Sequence, residues 1–66
     1  PSLTGIRARA MVLTKRHGLE PSDVLARAKM EGLIDETVQD FTDLTDDEAR
    51  AIIDNLERWA SEYVQL

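Results

Sequence analysis

The sequence predicts an all-α fold, a compact three-helix bundle with a short additional helix. Apolar residues recur at steps of three and four along three separate segments, and glycines at 18 and 32 stand where two of those segments stop. Thr45 followed by Glu48 forms a capping box ahead of the third. No strand-length alternation, Asn-Gly hairpin signal or run of β-branched residues competes with this pattern.

The first predicted helix runs from about Leu3 to His17. Leu3, Ile6, Ala10, Leu13 and His17 share one face, and Gly18 supplies the left-handed conformation that commonly ends a helix. Ser2 or Thr4 is the expected cap. The core face centres between Ile6 and Ala10, which turns Met11 and Val12 to the side. The second helix begins at Pro21, whose missing donor is harmless at the first helical position. Asp23 suits the dipole in the first turn, Leu19 can staple onto Val24, and Val24, Leu25 and Ala28 form the inward stripe before Gly32 stops the helix. Met30 points off that stripe.

Asp35 to Phe41 is expected to form one or two helical turns, with Val38 and Phe41 plugging the end of the core. Thr42, Asp43 and Thr45 then favour a turn, because their short side chains bond back to nearby backbone groups. The capping box opens a last helix from Asp46 to about Val64. Its apolar stripe is Ala49, Ile52, Ile53, Leu56, Trp59, Ala60 and Tyr63, and Asp46 with Arg50 and Asp54 with Arg58 are expected i, i+4 pairs on the wet side.

A chain of 66 residues allows one small domain, here the whole of 1–66, and buries only about 60% of the surface it exposes when unfolded. With no cysteine, neither a disulfide nor a thiolate metal cage can reinforce it. The longest apolar run, Ala10 to Leu13, is far short of the roughly 20 residues of a membrane span, and no signal-peptide core is present. The chain therefore reads as a cytoplasmic domain, and its start at Pro1 suggests a module cut from a longer protein.

The formal charge of -5 hides a division. Residues 1–30 carry six basic groups against two acidic ones, a net +4, whereas residues 31–66 carry two against eleven, a net -9. Such polarity can steer a partner over about a Debye length, roughly 8 to 10 Å at ordinary salt.

Little in the inventory supports catalysis. The one histidine, His17, is expected at the end of the first buried stripe, before a glycine stop, where it suits the helix dipole better than it serves as a base. The run Asp43, Asp46, Asp47, Glu48 lacks the spacing and the glycine of a calcium loop and reads as helix-start acids. Glycines at 5, 18 and 32 make no phosphate-binding loop. No enzyme activity, metal or cofactor is expected.

Nucleic-acid binding is the stronger rival. Leu13, Gly18, Leu19 and Val24 fall as in a helix-turn-helix, in which the second helix reads the major groove; Arg27 and Lys29 would project from it, with Arg9 and Arg16 on phosphates. Thr14 stands where a small alanine usually lets the helices approach, Arg27 stands where an apolar residue usually anchors the second helix, and eleven carboxylates crowd the other half. The aromatics Phe41, Trp59 and Tyr63 fall at core spacing in that acidic half, away from any basic groove. Self-assembly through a Trp59 and Tyr63 face is a third class.

The order "LTKRHGL", a short second helix, then "DLTDDEARAIIDNLERW" resembles a small helical module of bacteriophage proteins. It is similar to the C-terminal domain of phage single-strand annealing recombination proteins and to the Mu-type GemA regulatory proteins. The resemblance spans residues 7 to 59 and is carried by Gly18, Leu19, Leu44, Thr45, Glu48, Ala49, Ile52, Ile53 and Leu56, which are capping and core positions. It implies a domain that docks protein partners in a DNA-recombination assembly while another domain holds the DNA. This chain departs from the pattern in its acidic Asp35 to Phe41 segment and carries no annealing domain.

The expected function is therefore non-enzymatic protein docking through the basic flank of the first two helices. Arg9, Arg16, Arg27 and Lys29 are the expected charged contacts, with Met11, Val12 and Met30 as apolar ones. Acidic partner tails are the natural ligands, because arginine matches carboxylates in a bidentate way. The alternative is a DNA-binding helix-turn-helix on the same surface.

Overall fold

The computed structural model describes residues 5–64 and has the predicted all-α architecture. Helix α1 spans Ile6–Arg16, α2 spans Pro21–Met30 and α3 spans Asp46–Val64; a three-residue 3-10 turn, Phe41–Asp43, stands for the short additional helix. No strand occurs among the described residues.

The middle helix of the packing is α1, which touches α3, the 3-10 turn and α2. Three elements can converge on one helix only if its side chains there are small. Ala10 and Thr14 meet this demand and are both 0% exposed, with Ile6, Met11 and Leu13 partly buried around them. The buried face is thus centred on Ala10 and Thr14, one turn further along than the predicted centre. His17 is exposed because it stands at the C-cap, past the last helical residue Arg16. The shift turns Met11 onto the core, because apolar spacing alone gives Thr14 no weight although its small volume suits the crossing. Its hydroxyl is satisfied locally, Oγ1 donating to the Ala10 carbonyl at 2.8 Å.

Both short helices stop by the same device. Gly18 (φ 78°) and Gly32 (φ 75°) adopt left-handed backbone, as their positions predict. After α1, Gly18 N–H donates to the Lys15 carbonyl and Leu19 N–H to the Thr14 carbonyl; after α2, Gly32 N–H donates to the Lys29 carbonyl and Leu33 N–H to the Ala28 carbonyl. Each is a Schellman ending that satisfies carbonyls the helix leaves unpaired. Leu19 is then delivered into the core and Leu33 against its edge. The expected caps Ser2 and Thr4 lie outside the described residues; α1 begins from Gly5, in extended backbone.

Asp35 to Asp40 is not helical, and only Phe41 of the expected segment enters the 3-10 turn. Asp35 accepts from the Thr37 N–H at 2.8 Å and closes a local turn instead. Asp40 then caps the 3-10 turn by accepting from Thr42 N–H, while Asp43 reaches back to the backbone of Asp40. Short acidic side chains that bond their own backbone compete with helix, and here they win. Val38 and Phe41 still plug the core, at 3% and 2% exposure.

The capping box of α3 is present: Glu48 N–H donates to Thr45 Oγ1 at 3.1 Å, and Thr45 N–H to Glu48 Oε1 at 2.9 Å. The second oxygen of Glu48 accepts from the Asp35 N–H at 2.8 Å, so one side chain ties the helix start to the preceding loop. These bonds hold the Glu48 carboxyl below its ordinary range, the Thr45 backbone bond first among them. Neither expected i, i+4 pair forms. Asp46 bonds Arg7 of α1 at 2.7 Å, Arg50 approaches Asp47 at 3.8 Å, and Arg58 turns to Glu31.

Candidate functional site

Six basic side chains lie on α1 and α2, and they divide into two groups by what they touch. Arg27 is engaged within the molecule. It is half-buried, its Nε donates to Glu31 at 2.7 Å and its Nη2 to Glu62. Glu31 caps α2 and is the centre of a network in which Arg58 donates to both its oxygens, at 2.6 and 3.2 Å, and Trp59 Nε1 donates at 3.1 Å. The Arg58 guanidinium also lies 5.7 Å from the Trp59 ring centroid. The bonds from Arg58, then Arg27, then Trp59 pull the Glu31 carboxyl down from its ordinary 4.5 to about 2, against the opposing effect of desolvation. Both arginines are pushed upward by the same carboxylate partners.

Arg27, expected to serve a partner, spends its Nε and Nη2 donors on Glu31 and Glu62 within the molecule. The missing cue lies in Glu31 and Glu62, four residues beyond Arg27 and four beyond Arg58 respectively, at helical neighbour spacing. Trp59 is buried, as its place in the α3 stripe predicts. At 1% exposure it belongs to the core, which removes it from any self-assembly face; Tyr63 keeps 41%.

Arg9 and Arg16 are exposed, as predicted, and make no ion pair among the described residues. Val12 sits between them on the same face of α1 and is 50% exposed. Lys15, which sequence reasoning omits, is exposed beside Val12 and also unpaired among the described residues; its i+3 relation to Val12 is the available signal. With Arg7, α1 carries four cations and no acid. Lys29 is half-buried and Met30 is 77% exposed, both on α2. The expected apolar contacts thus separate: Val12 and Met30 are open, whereas Met11 packs against the core.

Three of the remaining acids are accounted for by the fold. Asp43 caps the 3-10 turn, Asp46 meets Arg7 and Glu48 closes the capping box. Among the described residues no group of three or more His, Cys, Asp or Glu side chains is placed to hold a metal ion, and no cavity opens. No described helix is long and apolar enough to cross a membrane. The arrangement offers an exposed, charged helix face with Val12 as its apolar centre, which suits recognition by contact. No protein-family model, curated protein or solved structure matches this chain.

Proposed function

We propose that this is a non-enzymatic protein-docking domain of a bacterial or phage DNA-recombination or replication assembly, acting in the cytoplasm. The outward face of α1 is the docking surface. One observation carries the reading: Val12 stands half-exposed amid Arg9, Lys15 and Arg16, on a helix without a single acid. An apolar centre ringed by charge is the anatomy of a protein interface, whose core excludes water while its rim sets orientation. The assembly assigned to it rests on the phage-module resemblance of the capping and core residues.

Duplex DNA is a poorer fit to the same surface. The helix that would read bases carries Asp23 in its first turn, and its Arg27 is engaged by two carboxylates. Phosphate contact also gives an exposed valine nothing to bury.

The test is capture from a nuclease-treated bacterial or phage-infected lysate, comparing the native domain with an Arg9→Glu/Arg16→Glu variant. Proteins retained by the native domain and lost by the variant are the expected result. Equal capture by both overturns the assignment of the surface. Binding to duplex DNA that weakens steeply with salt, together with capture that disappears on nuclease treatment, overturns protein docking in favour of DNA.

A further inference from the structure

We propose that one occupant of the α1 face is a second copy of this chain, seated through the outward acidic stripe of its α3. The proposal rests on the reading of α1 as a docking surface and adds a partner to it. Along α1, Arg9, Val12 and Arg16 share a face at i, i+3 and i+7; along α3, Asp47, Ala51 and Asp54 do so at i, i+4 and i+7. Both stripes place like charges seven residues apart, about 10.5 Å, on either side of a small apolar side chain, half-exposed Val12 on α1 and the more buried Ala51 on α3. Their signs are opposite. The Asp47 side chain is 98% exposed, Asp54 and Glu57 are exposed and without an ion pair among the described residues, and one cation, Arg50, stands between Asp47 and Asp54 on the exposed side, 3.8 Å from Asp47.

The two stripes cannot meet within one molecule. Helices α1 and α3 pack against each other through their buried faces, so each stripe looks away from the other helix. Joining α1 of one copy to α3 of the next is therefore head-to-tail, a heterologous contact that extends into open-ended chains unless the rotation closes a ring. The net charge of -5 does not forbid it. At physiological salt the screening length is about 8 Å, shorter than the roughly 10 Å width of α1, so the acids behind α1 are largely hidden from an approaching stripe. Exposed ion pairs contribute little each, so the association is weak and requires high protein concentration.

Sedimentation of the folded domain from micromolar to millimolar concentration at about 0.15 M salt tests this. The expected result is a weight-average mass that climbs beyond the 7.4 kDa monomer and returns to it at about 1 M salt, where screening falls to about 3 Å. Arg9→Glu/Arg16→Glu and Asp47→Lys/Asp54→Lys are each expected to stay monomeric alone, with unchanged circular dichroism. Mixed in equal amounts they regain opposite-sign faces and the mass climbs again. A constant monomer mass for the native chain overturns the second-copy proposal, and so does association that neither charge reversal alters. If the mass stays constant while lysate capture still depends on Arg9 and Arg16, docking stands and only this occupant falls. Loss of both removes both.

Discussion

Trp59 donates its indole N–H to Glu31 across 28 residues of sequence, at 3.1 Å, and this bond joins the end of α2 to α3. Burying Trp59 at 1% exposure leaves its one polar atom in need of a partner, and the Glu31 carboxylate supplies it. The same carboxylate gathers Arg58 and Arg27, so a single side chain at a helix end organises the contact between two elements.

Glu31→Gln is expected to lower the melting temperature at neutral pH, because the amide oxygen can still accept from Trp59 but no longer attracts two guanidinium groups. It also changes the pH dependence. The Glu31 carboxyl ionises at about 2 in the fold against an ordinary 4.5, so the unfolded chain binds the extra proton. Its stabilisation is complete above about pH 4.5 and is lost as pH falls toward 2. Thermal melts across that window are expected to show a shallower acid loss in Glu31→Gln than in the native chain. Identical slopes would sink the assignment.

Gly18→Ala and Gly32→Ala are each expected to cost about 1 to 2 kcal/mol in urea denaturation. A Cβ at either position meets nothing within 4 Å, so the cost is backbone strain at φ 78° and 75° without any steric clash. Asn, which tolerates left-handed backbone better, is expected to cost less than Ala at both sites. If Ala were harmless, the Schellman endings would not be holding Leu19 and Leu33 in place.

Those endings are legible in the residues themselves, as are the capping box, the proline start of α2 and the α3 stripe, because each depends on local spacing along the chain. Three features are not. Asp35 and Asp40 bond nearby backbone N–H groups, closing a turn and capping a 3-10 turn where an α-helical segment is expected, while Val38 and Phe41 still reach the core. Arg27 and Arg58 gather on Glu31 and Glu62 across two helices, since the packing of the bundle sets which charges face one another. Thr14 is buried where α1 is crossed, a matter of volume that hydrophobic spacing does not register. On the α1 face, Arg9, Val12 and Arg16 are legible as outward residues because the opposite face holds Ala10.

Thr14 offers a separate check on packing. Its hydroxyl donates to the Ala10 carbonyl, which also serves the helix's own backbone, so removing the hydroxyl strands no acceptor. Thr14→Val is expected to lie within about 1 kcal/mol of the native chain, whereas Thr14→Leu costs about 1 to 3 kcal/mol because the crossing cannot admit another methylene. Chemical denaturation of the two variants measures this order, and a stable Leu variant would show that the crossing has room.

The division of the basic residues can be tested without any partner. Arg27→Ala removes donors from both Glu31 and Glu62 and is expected to lower the melting temperature, with the deficit shrinking as salt rises. Arg16→Ala touches no carboxylate among the described residues and is expected to melt with the native chain at every salt concentration. Combining Arg27→Ala with Glu31→Gln adds sensitivity, because residues of one network are not additive: the double variant is expected to lose less than the sum of the two single deficits. Strict additivity would mean that Arg27 and Glu31 stabilise the fold independently, and Arg27 would then return to the surface available for docking.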